Sequence, residues 1–322
     1  MPATDALGQR FAAAGGEARI ASLVPSLTET LFALGLGPQM VARTGFCIHP
    51  RSAVRAVAKV GGTKDVDLAA LRALRPTHVL VNIDENTRET VDALRGFVPH
   101  IVVTHPQSPA DNVPLLQLLG EVFGGVPGVA ARAQALRQRM RAVLRTLQPP
   151  SAPPRRVLYL IWRAPWMTVA RDTYISRSLA AVGWHTLPDV HGGDGLQQPG
   201  RTRYPVFDWD APWLETVDLV LLPSEPYRFR PAHADEVRAG LAARALHADV
   251  HCIPGEWASW YGVRAIDGLQ RLAACARDVT AASVQTRCGA AAPGTASPAA
   301  KNRRPEPADP ATPTAPPGPQ VD

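Results

Sequence analysis

One stretch constrains this chain more than any other. Between Gly124-Gly125 and the proline-rich run Gln148–Pro154, apolar residues recur at Val129, Ala133, Leu136, Met140, Val143, Leu144 and Leu147. That spacing repeats every 3.6 residues and marks one face of a helix. Arg132, Arg137, Arg139, Arg141 and Arg145 take other positions. Pro127 suits the first turn, and the prolines stop the helix at its far end. About 20 residues at ~1.5 Å each make a rod of roughly 30 Å. Such a rod divides the chain into two parts.

Both parts read as strand–helix alternation. Arg19–Val24 is an apolar strand, and Ser26-Leu-Thr-Glu29 matches the S-x-x-E capping box of a following helix. Strands are then expected at Val41–Thr44, His78–Ile83 and Ile101–Thr104. Helices are expected after Asp67 and Asn86 and over 109–123. Beyond the prolines come strands at Arg156–Ile161, Met167–Ala170, Asp218–Leu222 and Val250–Ile253. Helices follow Asp172-Thr173, cover 233–246 and run from Val263 to Val279. This rhythm implies a largely parallel sheet in each part. The expected class is α/β, with two βα lobes built on central, mostly parallel sheets and joined by one long backbone helix. The divisions are an N-terminal extension (1–18), an N-terminal lobe (19–126), the backbone helix (127–148), a C-terminal lobe (149–280) and a Pro/Ala-rich tail (281–322). From about Gly289 the tail holds nine of the 32 prolines and almost no large apolar residues. It is expected to be disordered, since it cannot offset its ordering entropy.

Several function classes drop out. A net charge of +6 is spread over scattered arginines, so no nucleic-acid partner is expected. No run approaches the ~18 apolar residues of a membrane span. No signal-peptide pattern opens the chain, which as written reads as cytoplasmic; a start further upstream would make it periplasmic. Cys47, Cys252, Cys275 and Cys288 have no C-x-x-C spacing. G-x-S-x-G, a Walker loop and H-E-x-x-H are absent, so neither catalytic residues nor a catalytic cofactor are expected. His49, His105, His185 and His191 share no spacing logic, and no metal site is assigned.

All seven tryptophans lie between Trp162 and Trp260. Four form two clusters, Trp162-Arg-Ala-Pro-Trp166 and Trp257-Ala-Ser-Trp260-Tyr261, each directly after an expected strand. Strand ends are where α/β domains bind ligands, and tryptophan offers a flat apolar face with one polar handle. The clusters read either as a wall for a large, flat, partly apolar ligand or as ordinary packing. Trp184, Trp209 and Trp213 read as packing.

The layout resembles the helical-backbone substrate-binding proteins of ABC importers, and within them the cobalamin-binding branch. The words that carry it are Arg19-Ile-Ala-Ser-Leu-Val-Pro-Ser-Leu-Thr-Glu-Thr30, Val60-Gly-Gly-Thr-Lys64, Pro76-Thr-His-Val-Leu-Val81 and Trp162-Arg-Ala-Pro-Trp166. Asp172-Thr-Tyr-Ile175, Arg203-Tyr-Pro205, Leu221-Leu-Pro-Ser-Glu225-Pro-Tyr227 and Ser259-Trp-Tyr-Gly262 follow. Together they cover about residues 19–280. The resemblance implies a monomer holding a corrinoid in a shallow cleft and passing it to a permease dimer, with small lobe motions because an unbroken helix resists bending. It places Pro25, Ser26, Leu27, Thr28, Phe46, His49, Gly62, Thr63, Trp162, Trp166, Trp257, Trp260 and Tyr261 at the ligand. It makes Glu85 and Glu225 exposed docking carboxylates, with Glu89 close enough to Glu85 to be the alternative on the first lobe. The same fold with an iron–siderophore, haem or a metal ion is the alternative cargo. A cytosolic enzyme or carrier acting on a tetrapyrrole is the alternative of another class.

Overall fold

The computed structural model describes residues 3–147, 153–193 and 202–289, with backbone alone for 280 and 282–289. Two short antiparallel strands, β1 (Ala3–Thr4) and β2 (Arg10–Phe11), open it. The first sheet follows, with strands β3 (Ile20–Ser22), β4 (Met40–Arg43), β5 (Ala58–Lys59), β6 (His78–Asn82) and β7 (His100–Thr104). All pairs are parallel, in the order β5-β4-β3-β6-β7. Helices α1 (Pro25–Ala33), α2 (Leu68–Ala73) and α3 (Arg88–Leu94) lie in the crossovers, and α4 (Asn112–Val122) follows β7. Parallel strands are covered on both faces, and β6 is buried at every residue.

Helix α5 (Val129–Thr146) is the rod expected from the 3.6-residue period. Val129, Ala133, Leu136, Met140 and Val143 are buried on it, and Leu144 and Leu147 pack beside them. Its partner is α4, approached so closely that a Cβ on Gly120 would stand 2.5 Å from that of Ala133. The second sheet then forms from β8 (Arg155–Tyr159), β9 (Trp184–Thr186), β10 (Leu219–Pro223) and β11 (Asp249–Ile253), parallel and ordered β11-β10-β8-β9. Its helices are α6 (Tyr174–Ala180), α7 (Pro231–Ala243), α8 (Glu256–Ser259) and α9 (Arg264–Gly289). Among the described residues no helix is long and apolar enough to cross a membrane.

A second strut joins the halves. Ala265, Ile266 and Leu269 of α9 belong to the same core as α1, α4 and α5. One to two turns later, Leu272, Ala276 and Val279 belong to the core of the second sheet. Ile266, Leu269, Leu272 and Val279 each contribute roughly 1.5–3 kcal/mol when fully buried, so α9 clamps both lobes, whereas the buried face of α5 lies in the first core and Leu147, just past its end, packs on the second.

Some local expectations are corrected. Ser26 does not cap α1: Pro25 takes the first helical position, where its fixed φ is pre-organised, and extended Val24 becomes the cap residue without a side-chain bond. Asn86 does not cap α3, because Thr87 does, accepting from Thr90 N. Asn86 instead ties three loops, accepting from Asn82 N and donating to Leu23 O and Thr63 O. Pro127 precedes the rod, which starts after Gly128 at φ 81. Met167 forms only single bridges to Trp162 and Val206, not a strand. The N-terminal extension packs against the first lobe. Phe11 and Ala18 are buried, and Asp5 accepts from Val103 N at 3.0 Å, covering the open edge of β7. The tail from residue 290 lies outside the described residues.

Replacing Gly120 with valine should wedge α4 from α5 and cost about 1–3 kcal/mol. Chemical denaturation measures it, and an unchanged midpoint contradicts the close approach.

Candidate functional site

All strands of a parallel sheet end at one edge, and the two such edges here face each other. Residues just past β4 and β6 touch residues past β9 and β11. Three polar groups make the join.

The first centres on Arg203, which is 5% exposed. Its Nη2 donates to Asp84 Oδ2 at 3.2 Å and to Asp172 O at 3.1 Å, and Nη1 donates to Gly193 O at 2.8 Å. Its Nε lies 3.0 Å from Asp84 Oδ1 but is not aligned for a hydrogen bond, so that approach is an ion pair only. His105 adds a contact to Asp84 at 3.6 Å. Burial alone would raise the Asp172 carboxyl; hydrogen bonds from the Gly192 backbone and the charge of Arg203 outweigh it and hold the group low.

The second centres on Arg264. Its fork grips Glu29 of α1 at 2.6 and 2.7 Å, and its remaining nitrogen donates to Glu256 of α8 at 2.5 Å. The guanidinium also lies 4.9 Å from the Trp260 ring centroid, a cation–π contact. His49 reaches Glu256 at 3.5 Å and meets Trp260 edge-on at 5.7 Å. Backbone bonds reinforce the join: Val263 N donates to Thr30 Oγ1 at 3.0 Å and Gly262 N to Asn112 Oδ1 at 2.6 Å.

The third is a pair of carboxyls, one per lobe. Tyr261 Oη donates to Glu85 Oε1 at 2.7 Å, and Ser259 Oγ donates to Glu225 Oε1 at 2.6 Å. Burial is the main cause that pushes Glu85 up to about 7; Tyr261 opposes it, and the charges of Glu225 and Asp84 add to it. Burial also raises Glu225.

The expected site residues divide. Phe46 is 63% exposed, its ring 3.3 Å from where a Gly62 Cβ would stand. Beside it Ile48 is 51% exposed. Thr63 and Pro25 are half-buried at the same edge. Leu27 and Thr28 are fully buried and face inward; Thr28 bonds Val24 O and Cys47. Ser26 is buried against the Tyr261 phenol. On the second lobe Trp162 and Trp166 are half-buried. Trp162 meets Tyr227 edge-on at 5.5 Å, and Trp166 leans on Trp209 at 5.4 Å. Val206, bridged to Met167, is 58% exposed next to them.

Four expectations are corrected. Trp260 is no open wall: 8% exposed, it is sandwiched by Arg264 and His49. Trp257 packs into the second core, and Tyr261, 5% exposed, is a cross-lobe donor. His49 is spent on Glu256, and no group of three metal-ligating side chains occurs among the described residues. Glu85 and Glu225 are half-buried and hydrogen-bonded at the join, not outward rim charges. Sequence reading missed Arg203, Asp84 and Arg264, although Arg203 sits in the quoted word Arg203-Tyr-Pro205; an isolated arginine carries no spacing signal.

The raised Glu85 carboxyl has a signed consequence. Its folded value of about 7 exceeds its ordinary 4.5. The stability it lends is complete below about 4.5 and is lost as pH rises through about 7. Wild type should therefore lose on the order of 1–2 kcal/mol relative to Glu85→Gln between pH 5 and 8, less than the full ~1.4 kcal/mol per unit because part of the side chain stays in water. Parallel melting curves across that range would contradict it.

The chain is similar to known proteins over most of this architecture. A model of the periplasmic binding protein family matches residues 20–198. A vitamin B12-binding protein of Photorhabdus laumondii is 27% identical over 121 residues, 38% of this chain. That match spans 44% of the relative, under half its length. Among solved structures, the periplasmic vitamin B12 binding protein of Vibrio cholerae superposes with a TM-score of 0.64 at 16% identity, covering 81% of this chain and 97% of that one. The periplasmic haem binding protein of the same organism gives 0.63 at 19%, covering 81% and 99%. These structural likenesses carry the two-lobe fold, while the family match takes in more than half of the chain, from β3 through β9: the protein belongs to the periplasmic binding protein family.

Proposed function

We propose that this substrate-binding protein holds a cobalamin-type corrinoid at the facing strand ends and delivers it to the permease dimer of an ABC importer. As a member of its family it carries a ligand and is not an enzyme, which sets aside the tetrapyrrole-converting alternative. The observation that carries the cargo reading is the apolar surface left open at the strand ends. Phe46 and Ile48 stand on the first lobe, and Val206 with half-buried Trp162 and Trp166 on the second. Large apolar side chains in water are tolerated singly; gathered at strand ends they mark a ligand surface. A macrocycle with apolar faces and a polar rim matches apolar edges around a polar floor. The curated relative named for vitamin B12 points the same way.

Docking on the permease falls to Glu89, exposed on the first turn of α3, now that Glu85 is turned inward. Such a rim charge steers encounter and orientation more than it adds affinity. The family reading puts the handover in the periplasm, and the binding unit is a monomer.

Titration with cyanocobalamin, followed by heat and by quenching of tryptophan fluorescence, tests the reading. Binding is expected, and Phe46→Ala should weaken it about 10-fold, or ~1.4 kcal/mol, while leaving the melting temperature unchanged. No heat and no quenching would exclude this cargo. The absorbance spectrum of protein purified from cells then separates haem and ferric chelates from a corrinoid.

A further inference from the structure

Charge accounting at the join leaves an imbalance. Asp84 is matched by Arg203, with His105 beside it. Glu29 and Glu256 are matched by Arg264, with His49 beside Glu256. Glu85 and Glu225 have no cation within ion-pair distance among the described residues; each has a hydroxyl donor, from Tyr261 and Ser259, and Glu225 also feels the charge of Arg264 and the Trp260 indole. They come from opposite lobes, sense each other's charge, and keep part of their surface in water.

A second observation concerns donors. Ser26 Oγ, on a residue 3% exposed, has the Tyr261 phenol that serves Glu85 as its polar neighbour and makes no further hydrogen bond. Tyr159 Oη, on a fully buried residue at the end of β8, lacks a partner and lies within the field of Glu225. Unpartnered buried hydroxyls are uncommon and ask for an explanation. Acceptor-rich carboxyls thus stand beside donors that lack acceptors.

A primary amide answers both needs, because its NH2 donates and its C=O accepts. A carboxylate offers acceptors only and adds a third negative charge to two that already repel. We propose that Glu85 and Glu225 set ligand selectivity: they accept hydrogen bonds from the peripheral amides of the macrocycle and reject macrocycles bearing carboxylates. The proposal rests on the corrinoid reading and adds what separates a corrinoid from haem, whose rim carries two propionates.

The test is a titration panel at pH 7.5 with dicyanocobinamide, whose rim is amidated, the corresponding corrinoid heptacarboxylic acid, and haem. Wild type should bind the amide form at least 10-fold tighter than either acid. A double variant, Glu85→Gln with Glu225→Gln, should lose most of that ratio by gaining affinity for the acids. Circular dichroism checks that the variant folds, and the wild-type ratio stands independently of it. Equal binding of amide and acid corrinoids, or an unchanged ratio in a folded double variant, overturns the selectivity role and leaves the corrinoid reading in place. Binding of neither corrinoid overturns both.

Discussion

Arg264 is the interaction on which the arrangement depends. It stands at the start of α9, grips Glu29 on the first helix of the first lobe, and holds Glu256 on the short helix that follows the last strand of the second. A guanidinium is suited to this, since its planar fork meets one carboxylate bidentately while a further N–H reaches another. Its face covers Trp260, so one side chain fixes the lobes and withdraws a tryptophan from the surface. Removing it would leave half-buried Glu29 without its cation and Glu256 with the 3.5 Å contact to His49, which costs more than the pair itself contributes.

Around that point the two sheets are held edge to edge by different means. α9 crosses from one core to the other as an apolar strut, and α5 runs along the first core to Leu147, which packs on the second. Arg203 with Asp84, and Gly262 with Asn112, supply directional polar bonds between segments 119 and 150 residues apart. Hydrophobic packing sets the distance between the lobes, and the hydrogen bonds set their orientation. The floor of the join is therefore built before any ligand arrives, which lowers the ordering cost of binding. What stays open is the rim, where Phe46, Ile48 and Val206 stand in water.

Much of the architecture was legible in the sequence because it is written in local periodicity. The 3.6-residue stripe of α5 names its buried face almost residue by residue, and the strand–helix alternation gives two parallel sheets. The errors share a cause. Ser26 and Asn86 have the chemistry of caps, but Pro25 and Thr87 compete for the same turns and win on backbone geometry. Trp162 and Trp260 look equivalent as words. Only the fold shows that a distant arginine covers Trp260, while among the described residues none covers Trp162. Glu85 and Glu225 read as rim charges because their partners, Tyr261 and Ser259, lie 176 and 34 residues away. Such long-range pairings, across the join for Glu85 and within the second lobe for Glu225, are set by topology, and no spacing along one chain encodes them.

The central claim is a preformed, rigid relation between the two lobes. Spin labels at Glu89 and Arg228, exposed positions on the first and second lobe, would report it as a distance distribution by pulsed electron resonance with and without saturating cyanocobalamin. One narrow distribution is expected in both states, displaced by less than about 2 Å. A broad or two-peaked distribution in the free protein that collapses by many ångströms on binding would contradict it.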